Sequence, residues 1–567
     1  MKTQIRNLAK VLSAGAAVVA FLMGGATAAA AQPLGTMVWV APATMKIRPH
    51  ISVPQGASNV ANISAAKNEF QSFHVVVTGG ASNVSVSLSS LSDGRGHTIS
   101  GRDIVLYREV LATVWTAAGG DGASGQWPDA LIPDVDPIVG EKRNAFPFWV
   151  PGNESRAVLV DIHVPYGAPA GYYTGTLRVT GSIWAQVPVH LTVWNFTLPS
   201  TATLRSAFGM LWNGPCLGHG DYQCRNMPAE RALRGRYVQA ALDNRFSIDE
   251  PELGSPVASD GRANWHDFDR SVGPFLDGSS PTRLPGARLT SVKTVSQNGP
   301  PYTTRAAAYA WGSHFRDQGW LPVLYNLVCD EPPRSCAFHE INQRIAESKA
   351  GYWAIPTVLT TSIQRGWQNH LYGVDLYTPV INWLEDKPDD GEFSGPQRMH
   401  YGGQLWWYQS CMSHGCSRPG DSWGRRYFTG WPTLQVDADG SRYRSQQWLS
   451  FTYGIAGIYY YDTMQAASKD PWVNNDQFGA VGDGSLFYPG TPNRIGGHTE
   501  IPIESLRMKG IRDGMQDYEL LVLAKRAGHE AEARRIALSV FPRSFQGQAT
   551  PQQIEWARQQ LARLIAH

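Results

Sequence analysis

At 567 residues with 43% hydrophobic side chains, the chain has room for roughly two to four domains and a large core. A formal charge of +2, spread over interspersed acids and bases, excludes the electrostatic footprint of a nucleic-acid-binding protein. The 20 Trp, 22 Tyr and 57 Gly suit a loop-rich protein that stacks rings on flat ligands, sugars among them.

Lys2, Arg6 and Lys10 precede an apolar run, Val11 to Met23, that is too short to cross a bilayer, and "ATAAAAQ" offers small residues for cleavage near Ala31. Residues 1–31 therefore read as a signal peptide, and the mature chain is expected to be secreted or periplasmic. No later apolar run is long enough for a membrane span. Residues 32–200 read as a β-sandwich, with short runs such as "FHVVVTGG", "SVSLSSL", "AVLVDIHV" and "TLRVTG" separated by Gly, Asn and Ser. In "VPVHLTVWNFTLP", Val187, Val189, Leu191 and Val193 alternate with Pro188, His190 and Thr192, the period of a half-buried strand. "TLPSTATLRS" reads as a linker. Over residues 201–500 strands alternate with helices: "LRSAFGMLWNG", "PAERALRGRYVQAALDN", "RFSIDEP", "YTTRAAAYAWGSHFRDQG", "WLPVLYNLVCDEPP", "AFHEINQRIAESKAG" and "WAIPTVLTT", with "VDLYTPVIN", "QLWWYQS" and "IAGIYYYD" as later strands. That order predicts parallel strands and fits a (β/α)8 TIM-like barrel. Residues 501–567 read as helices packed on it.

The six cysteines fall in three close pairs, Cys216 with Cys224, Cys329 with Cys336 and Cys411 with Cys416. No zinc-ligand spacing is present, so local disulfides are the better reading in an exported chain, and no metal or other cofactor is implied. In a parallel barrel, functional side chains sit at the carboxyl ends of strands. "LPVLYNLVCDEPP" delivers Asp330 and Glu331 there, and Pro332 and Pro333 end the strand because neither can donate a ladder hydrogen bond. Two carboxylates in one cleft tend to split into an acid and an ion, as glycoside hydrolysis requires. Consecutive Cα atoms lie only about 3.8 Å apart, which is awkward for carboxylates that flank a bond from opposite faces. Adjacency suits substrate assistance, in which one acid orients a 2-acetamido group and its neighbour protonates the leaving oxygen. The tripeptide recurs as Asp249, Glu250 and Pro251, so Glu250 is kept as a rim residue. Trp406, Trp407 and Tyr408, together with Tyr460 and Asp462 of "YYYD", are candidate sugar-contacting residues; Trp367 and Asp375 are further strand-end candidates. "FHEINQ" fails as a zinc-protease motif because Gln343 replaces the second His, and there is no GxSxG elbow, P-loop or GxGxxG after a strand.

Several stretches resemble glycoside hydrolase family 123. "SAAKNEFQSFHVVV" is similar to the opening of its leading sandwich domain, and "VPVHLTVWNFTLPSTATLRSAFG" to that domain's end. "LYNLVCDEPP" resembles the strand with its Asp–Glu pair, "RYRSQQWLSFTYGIAGIYYYD" its late barrel strand, and "ESLRMKGIRDGMQDYELL" its helical signature. The resemblance implies a retaining, substrate-assisted β-N-acetylgalactosaminidase. Asp330 would orient the acetamide, Glu331 would be the general acid/base, and Arg444 and Trp448 would match the late-strand arginine and tryptophan. Arg512 and Asp513 of the helical signature would be architectural, with Gly510 and Gly514 allowing close packing. Two alternatives stay open. One is a hydrolase of a neutral or furanose polysaccharide that uses Asp375, Asp462 or Glu250 as a third carboxylate. The other is a carbohydrate-binding protein without catalysis.

Overall fold

In the computed structural model the described residues are 35–118, 122–297, 302–385, 387, 401–416 and 421–566. The expected signal peptide over residues 1–31 lies outside them. Residues 37–197 form two sheets. One runs in the order Met37–Pro42, Glu69–Thr78, Ser155–Val164, Ile104–Val114 and Gly125–Pro133, every neighbour antiparallel. The other is built on Ala61–Lys67, Ala185–Thr197, Gly171–Thr180, Ala81–Ser87 and Phe148–Val150. Val75, Val77, Val158 and Val160 of the first sheet share one core with Val86, Leu177, Val187, Val189 and Leu191 of the second. The alternation read from the sequence holds: Val187, Val189, Leu191 and Val193 are buried, and Thr192 between them is exposed.

From Arg205 the strands become parallel and shorter. Arg205–Phe208, Gly457–Tyr460 and Trp406–Tyr408 form one sheet, and Val292–Lys293, Leu324–Asp330, Thr357–Thr360 and Leu376–Tyr377 another. Parallel bridges Tyr377↔Leu405 and Val380↔Tyr408 join the two on one side. On the other side, Phe208 bridges Ile248, and Lys293 N donates to Asp249 O at 2.8 Å. The result is a mixed α/β chain of many sheets with a curled half-barrel. Its concave side is filled by Ala207, Tyr325, Val358, Leu376, Trp406, Tyr408 and Tyr459.

Helices between the strands begin where the sequence supplies caps. Asn226 precedes Met227–Asp243, and Thr304 accepts from Ala307 N at 3.2 Å to start Arg305–Asp317. The stretch expected as one late strand is instead two elements. Arg442–Tyr453 is a helix, Gly454 ends it in the left-handed conformation (φ 64°), and only Gly457–Tyr460 is strand.

Helix Leu506–Arg526 carries the "IRDGMQDYE" signature and ties the two halves together. Arg512 binds Asp161 at 2.9 Å, Gln516 exchanges two hydrogen bonds with the Phe70 backbone, and Asp517 takes Arg444 at 2.6 Å and Arg558 at 2.6 Å. Arg558, on the last helix Pro551–Ala566, also reaches Glu69 at 2.5 Å. The glycines of the signature permit contact with helix Arg442–Tyr453. A Cβ at Gly510 would lie 2.5 Å from Tyr443 Cβ, and one at Gly514 would lie 2.9 Å from Arg444 O.

Candidate active site

Strand Leu324–Asp330 is buried on both sides because a parallel sheet is covered on both faces, which accounts for its apolar sequence. Its register slips between Leu327 and Cys329, and it stops at the two prolines. Asp330, Lys293, Thr360, Tyr408 and Tyr460 are all last residues of parallel strands, so they share one edge of the curled sheet.

Asp330 and Glu331 are both half-buried. Neighbours in a regular strand point to opposite faces. Glu331 escapes that rule because its backbone is left-handed, at φ 44°. Thr360, on the adjacent strand, serves both residues: its hydroxyl donates to Asp330 Oδ1 at 2.7 Å and accepts from Glu331 N at 2.7 Å. Tyr408 OH donates to Glu331 Oε1 at 2.6 Å. Arg334 stands 3.8 Å from the other oxygen and is largely exposed, so it does not lock the carboxylate. Burial pushes the Asp330 carboxyl above the usual aspartate range; the Glu331 charge adds to this, and the Thr360 hydroxyl, Lys293 and Arg334 oppose it. Burial and the Glu331 charge likewise hold the Tyr408 phenol well above its ordinary value, so it remains a donor. The cysteines pair as expected, and the Cys329–Cys336 bridge encloses both acids in one small ring.

Glu250 joins this neighbourhood. Its carboxylate pairs with Lys293, whose charge acts on Asp330. Asp462, two residues past strand Gly457–Tyr460, is buried and receives Leu211 N at 3.2 Å and Met464 N at 2.7 Å. Burial pushes its carboxyl up to about 6. Tyr460 is also buried, its hydroxyl given to Asp483 at 3.3 Å. Trp367 lies on the short helix Ile363–Gln368 that follows Thr360, and is 36% exposed.

Five expectations need correction, Tyr460 among them, since it is only 2% exposed and its hydroxyl is given to Asp483. Trp406 and Trp407 are only 1% and 0% exposed. The first packs edge-on to Tyr325 inside the curl at 5.3 Å, and the second bonds Ser450 on the covering helix at 3.0 Å, so neither offers a ring face to a sugar. Asp375 accepts from Thr357 N at 2.7 Å and pairs with Lys349 at 2.7 Å. That places it at the amino end of the strand whose carboxyl end bears Thr360, about 10 Å down the sheet. Arg444 is consumed by its bidentate bond to Asp517 and is a structural residue. Thr360 and Lys293 were not foreseen. Lys293 lies on a strand of two residues, too short to show a period, while Thr360 ends "TVLT", a strand the sequence does mark.

A carboxylate pair at the carboxyl edge of a curled parallel sheet is an arrangement that glycoside hydrolases use. Residues 50–181 match the family model described as the glycoside hydrolase 123 N-terminal domain. A family 123 glycoside hydrolase from Clostridium perfringens, solved to detail glycolipid glycan hydrolysis, superposes with a TM-score of 0.61 at 14% identity. The match covers 94% of this chain and 97% of that one. The chain is thus similar to glycoside hydrolase family 123, by sequence over residues 50–181 and by fold over most of its length. A Bacteroides ovatus GH5 xyloglucanase in complex with a heptasaccharide is also similar, with a TM-score of 0.26 at 9% identity over 82% of this chain and 99% of that one. No curated protein sequence matches. The three disulfides are consistent with secretion, and among the described residues no helix is long and apolar enough to cross a membrane.

Proposed function

We propose that the protein is an exported, retaining glycoside hydrolase for 2-acetamido sugars, with Asp330 and Glu331 as its catalytic residues. In this reading the substrate's own acetamide carbonyl oxygen attacks the anomeric carbon while Asp330 accepts the amide N–H. The Glu331 proton passes to the glycosidic oxygen as the carbon–oxygen bond breaks. Glu331 then takes a proton from the water that opens the resulting oxazolinium ring, and configuration is retained. The observation that carries this reading is the left-handed Glu331, whose carboxylate takes the Tyr408 hydroxyl while Thr360 bonds the Asp330 carboxylate and the Glu331 amide, an arrangement that favours two acids side by side over two on opposite faces of a bond. Further proposals complete it. Residues 32–200 form a β-sandwich domain, 201–500 a (β/α)8 catalytic barrel supported by the run of parallel pairings, and 501–567 a helical segment packed on the barrel. Residues 1–31 are the signal peptide, and Trp367 is a substrate-contacting residue.

The test uses 4-nitrophenyl N-acetyl-β-galactosaminide and its gluco epimer, followed by glycolipid glycans with product analysis by mass. Loss of a positioned acid/base lowers turnover about 100- to 10,000-fold, the expectation for E331Q. Full turnover by that variant, or no inhibition by a thiazoline mimic of the cyclised intermediate, overturns the assignment.

A further inference from the structure

The second Asp-Glu-Pro turn has no part in the chemistry above, yet the fold brings it beside the first. The Ile248–Glu250 segment hydrogen-bonds to Val292–Lys293, and that strand pairs with Leu324–Asp330, so Lys293 sits opposite Tyr325. Lys293 Nζ binds the Glu250 carboxylate, and both side chains keep some exposure, 17% and 30%. Behind them, Asp249 is fully buried. It takes the Tyr325 hydroxyl on one oxygen and has no partner for the other among the described residues. Arg234, buried on helix Met227–Asp243, fixes the turn from below by donating to Glu250 O at 2.6 Å and Met210 O at 3.2 Å. Tyr459, on strand Gly457–Tyr460, lies within electrostatic reach of Lys293 and Asp249, and its ring stands 6.1 Å from Tyr408. Across the carboxyl edge the order is thus Glu250, Lys293, Asp330, Glu331, Tyr408.

A buried ion pair costs desolvation that its own attraction barely repays. A half-open one in a cleft supplies a cation and an anion to hydroxyl groups, which need both an acceptor and a donor. We infer that the Lys293–Glu250 pair is the sugar-reading element of the site and binds the C3 and C4 hydroxyls of the residue being cleaved. This rests on the proposed function. With C1 at Glu331 and the C2 substituent at Asp330, the next ring carbons point along the edge toward Lys293 and Glu250. Glu250 accepts a hydroxyl proton, Lys293 donates to a hydroxyl oxygen, and the pair sets the preference for the C4 configuration.

The experiment compares 4-nitrophenyl N-acetyl-β-galactosaminide with its 3-deoxy and 4-deoxy analogues on wild type, E250Q and E250D, with melting temperatures as the folding control. A hydrogen bond to a charged group corresponds to roughly 10- to 100-fold in kcat/KM. Wild type should lose that factor on at least one deoxy analogue. E250Q should lose a similar factor on the parent and then show a deoxy penalty near one, with E250D in between. A deoxy penalty that is the same in wild type and the variants, or is absent in wild type, overturns the inference. If wild type cleaves none of these substrates, calorimetric binding of galactose and N-acetylgalactosamine separates the two readings. Galactose binding that depends on Glu250 without any gain from the acetamide keeps the pair and sinks substrate assistance. Equal binding by wild type and E250Q, or no binding of either sugar, overturns the pair.

Discussion

Thr360 offers the sharpest perturbation of the site, because one buried hydroxyl bonds the Asp330 carboxylate and the Glu331 backbone amide. T360V keeps the shape and removes both bonds. The bond to the Asp330 carboxylate is worth about 1.5–3 kcal/mol, and leaving the Glu331 amide unpaired costs about 1–3 kcal/mol. If about 2 kcal/mol of this is lost from the transition state, kcat/KM falls roughly 30-fold. The pH profile gives a second reading. Burial and Glu331 hold the Asp330 carboxyl up, and the Thr360 hydroxyl opposes them, so T360V lets it rise further. Asp330 acts ionised, so the acid limb of kcat/KM should move to higher pH. The stability sign agrees. A raised carboxyl contributes stability that is present below the ordinary aspartate range and lost as pH rises through its raised value, so the T360V deficit in Tm should grow from pH 4 to pH 7. T360S, which keeps the hydroxyl, should recover most of both. An unmoved acid limb in T360V, or T360S as damaged as T360V, would refute the reasoning.

Y408F removes the 2.6 Å donor to Glu331 and should lower kcat about tenfold or more with little change in KM, measured on whichever 4-nitrophenyl glycoside the wild type cleaves. R558M leaves Glu69 and Asp517 buried without their shared cation. It should cost about 3–5 kcal/mol in denaturant unfolding while the folded fraction keeps its kcat/KM. D462N tests the buried acid pushed up to about 6. Its charge costs roughly 3 kcal/mol at pH 7, stability that is intact below the ordinary aspartate value and lost as pH rises past about 6. Asn still accepts from Leu211 N and Met464 N, so the variant should gain Tm over wild type between pH 4 and pH 7, and no change in that gap contradicts the assignment.

Much of the architecture is legible because burial writes a period into the chain. Val187 to Val193 alternate because one face of their strand meets the shared core. Leu324 to Cys329 are apolar apart from Asn326 because both faces are covered, and the proline pair marks where that strand must stop. The same burial hides what aromatic residues do. Trp406 and Trp407 point to opposite sides of a short strand, yet both sides are packed, so a tryptophan-rich run carries no sign of which ring meets solvent. Arg444 has its partner Asp517 on another helix, 73 residues away, and only the contact between the helices makes its role visible. Lys293 and its pairing with Glu250 escape for a related reason, although Glu250 itself is marked by its Asp-Glu-Pro turn. Their strands contribute two residues or a single bridge, and their pairing across 43 positions leaves no local trace.

Adjacency itself is where local geometry and function meet. Two neighbouring acids on an undisturbed strand would face opposite ways, one into the core and one outward. A left-handed Glu331 brings its carboxyl round to Tyr408, at a backbone cost of roughly 1–3 kcal/mol for a residue with a Cβ. Folding alone gives no reason to bear that cost, since glycine would adopt the conformation freely. The cost is offset by bonds from three directions: Thr360 holds the amide, Tyr408 holds the carboxylate, and the Cys329–Cys336 bridge closes the chain around both. A strained acidic residue so closely restrained, while its carboxylate stays half-open, is what a site would need if neighbouring carboxyl groups must meet one sugar from the same side, one at its acetamide and the other at its glycosidic oxygen.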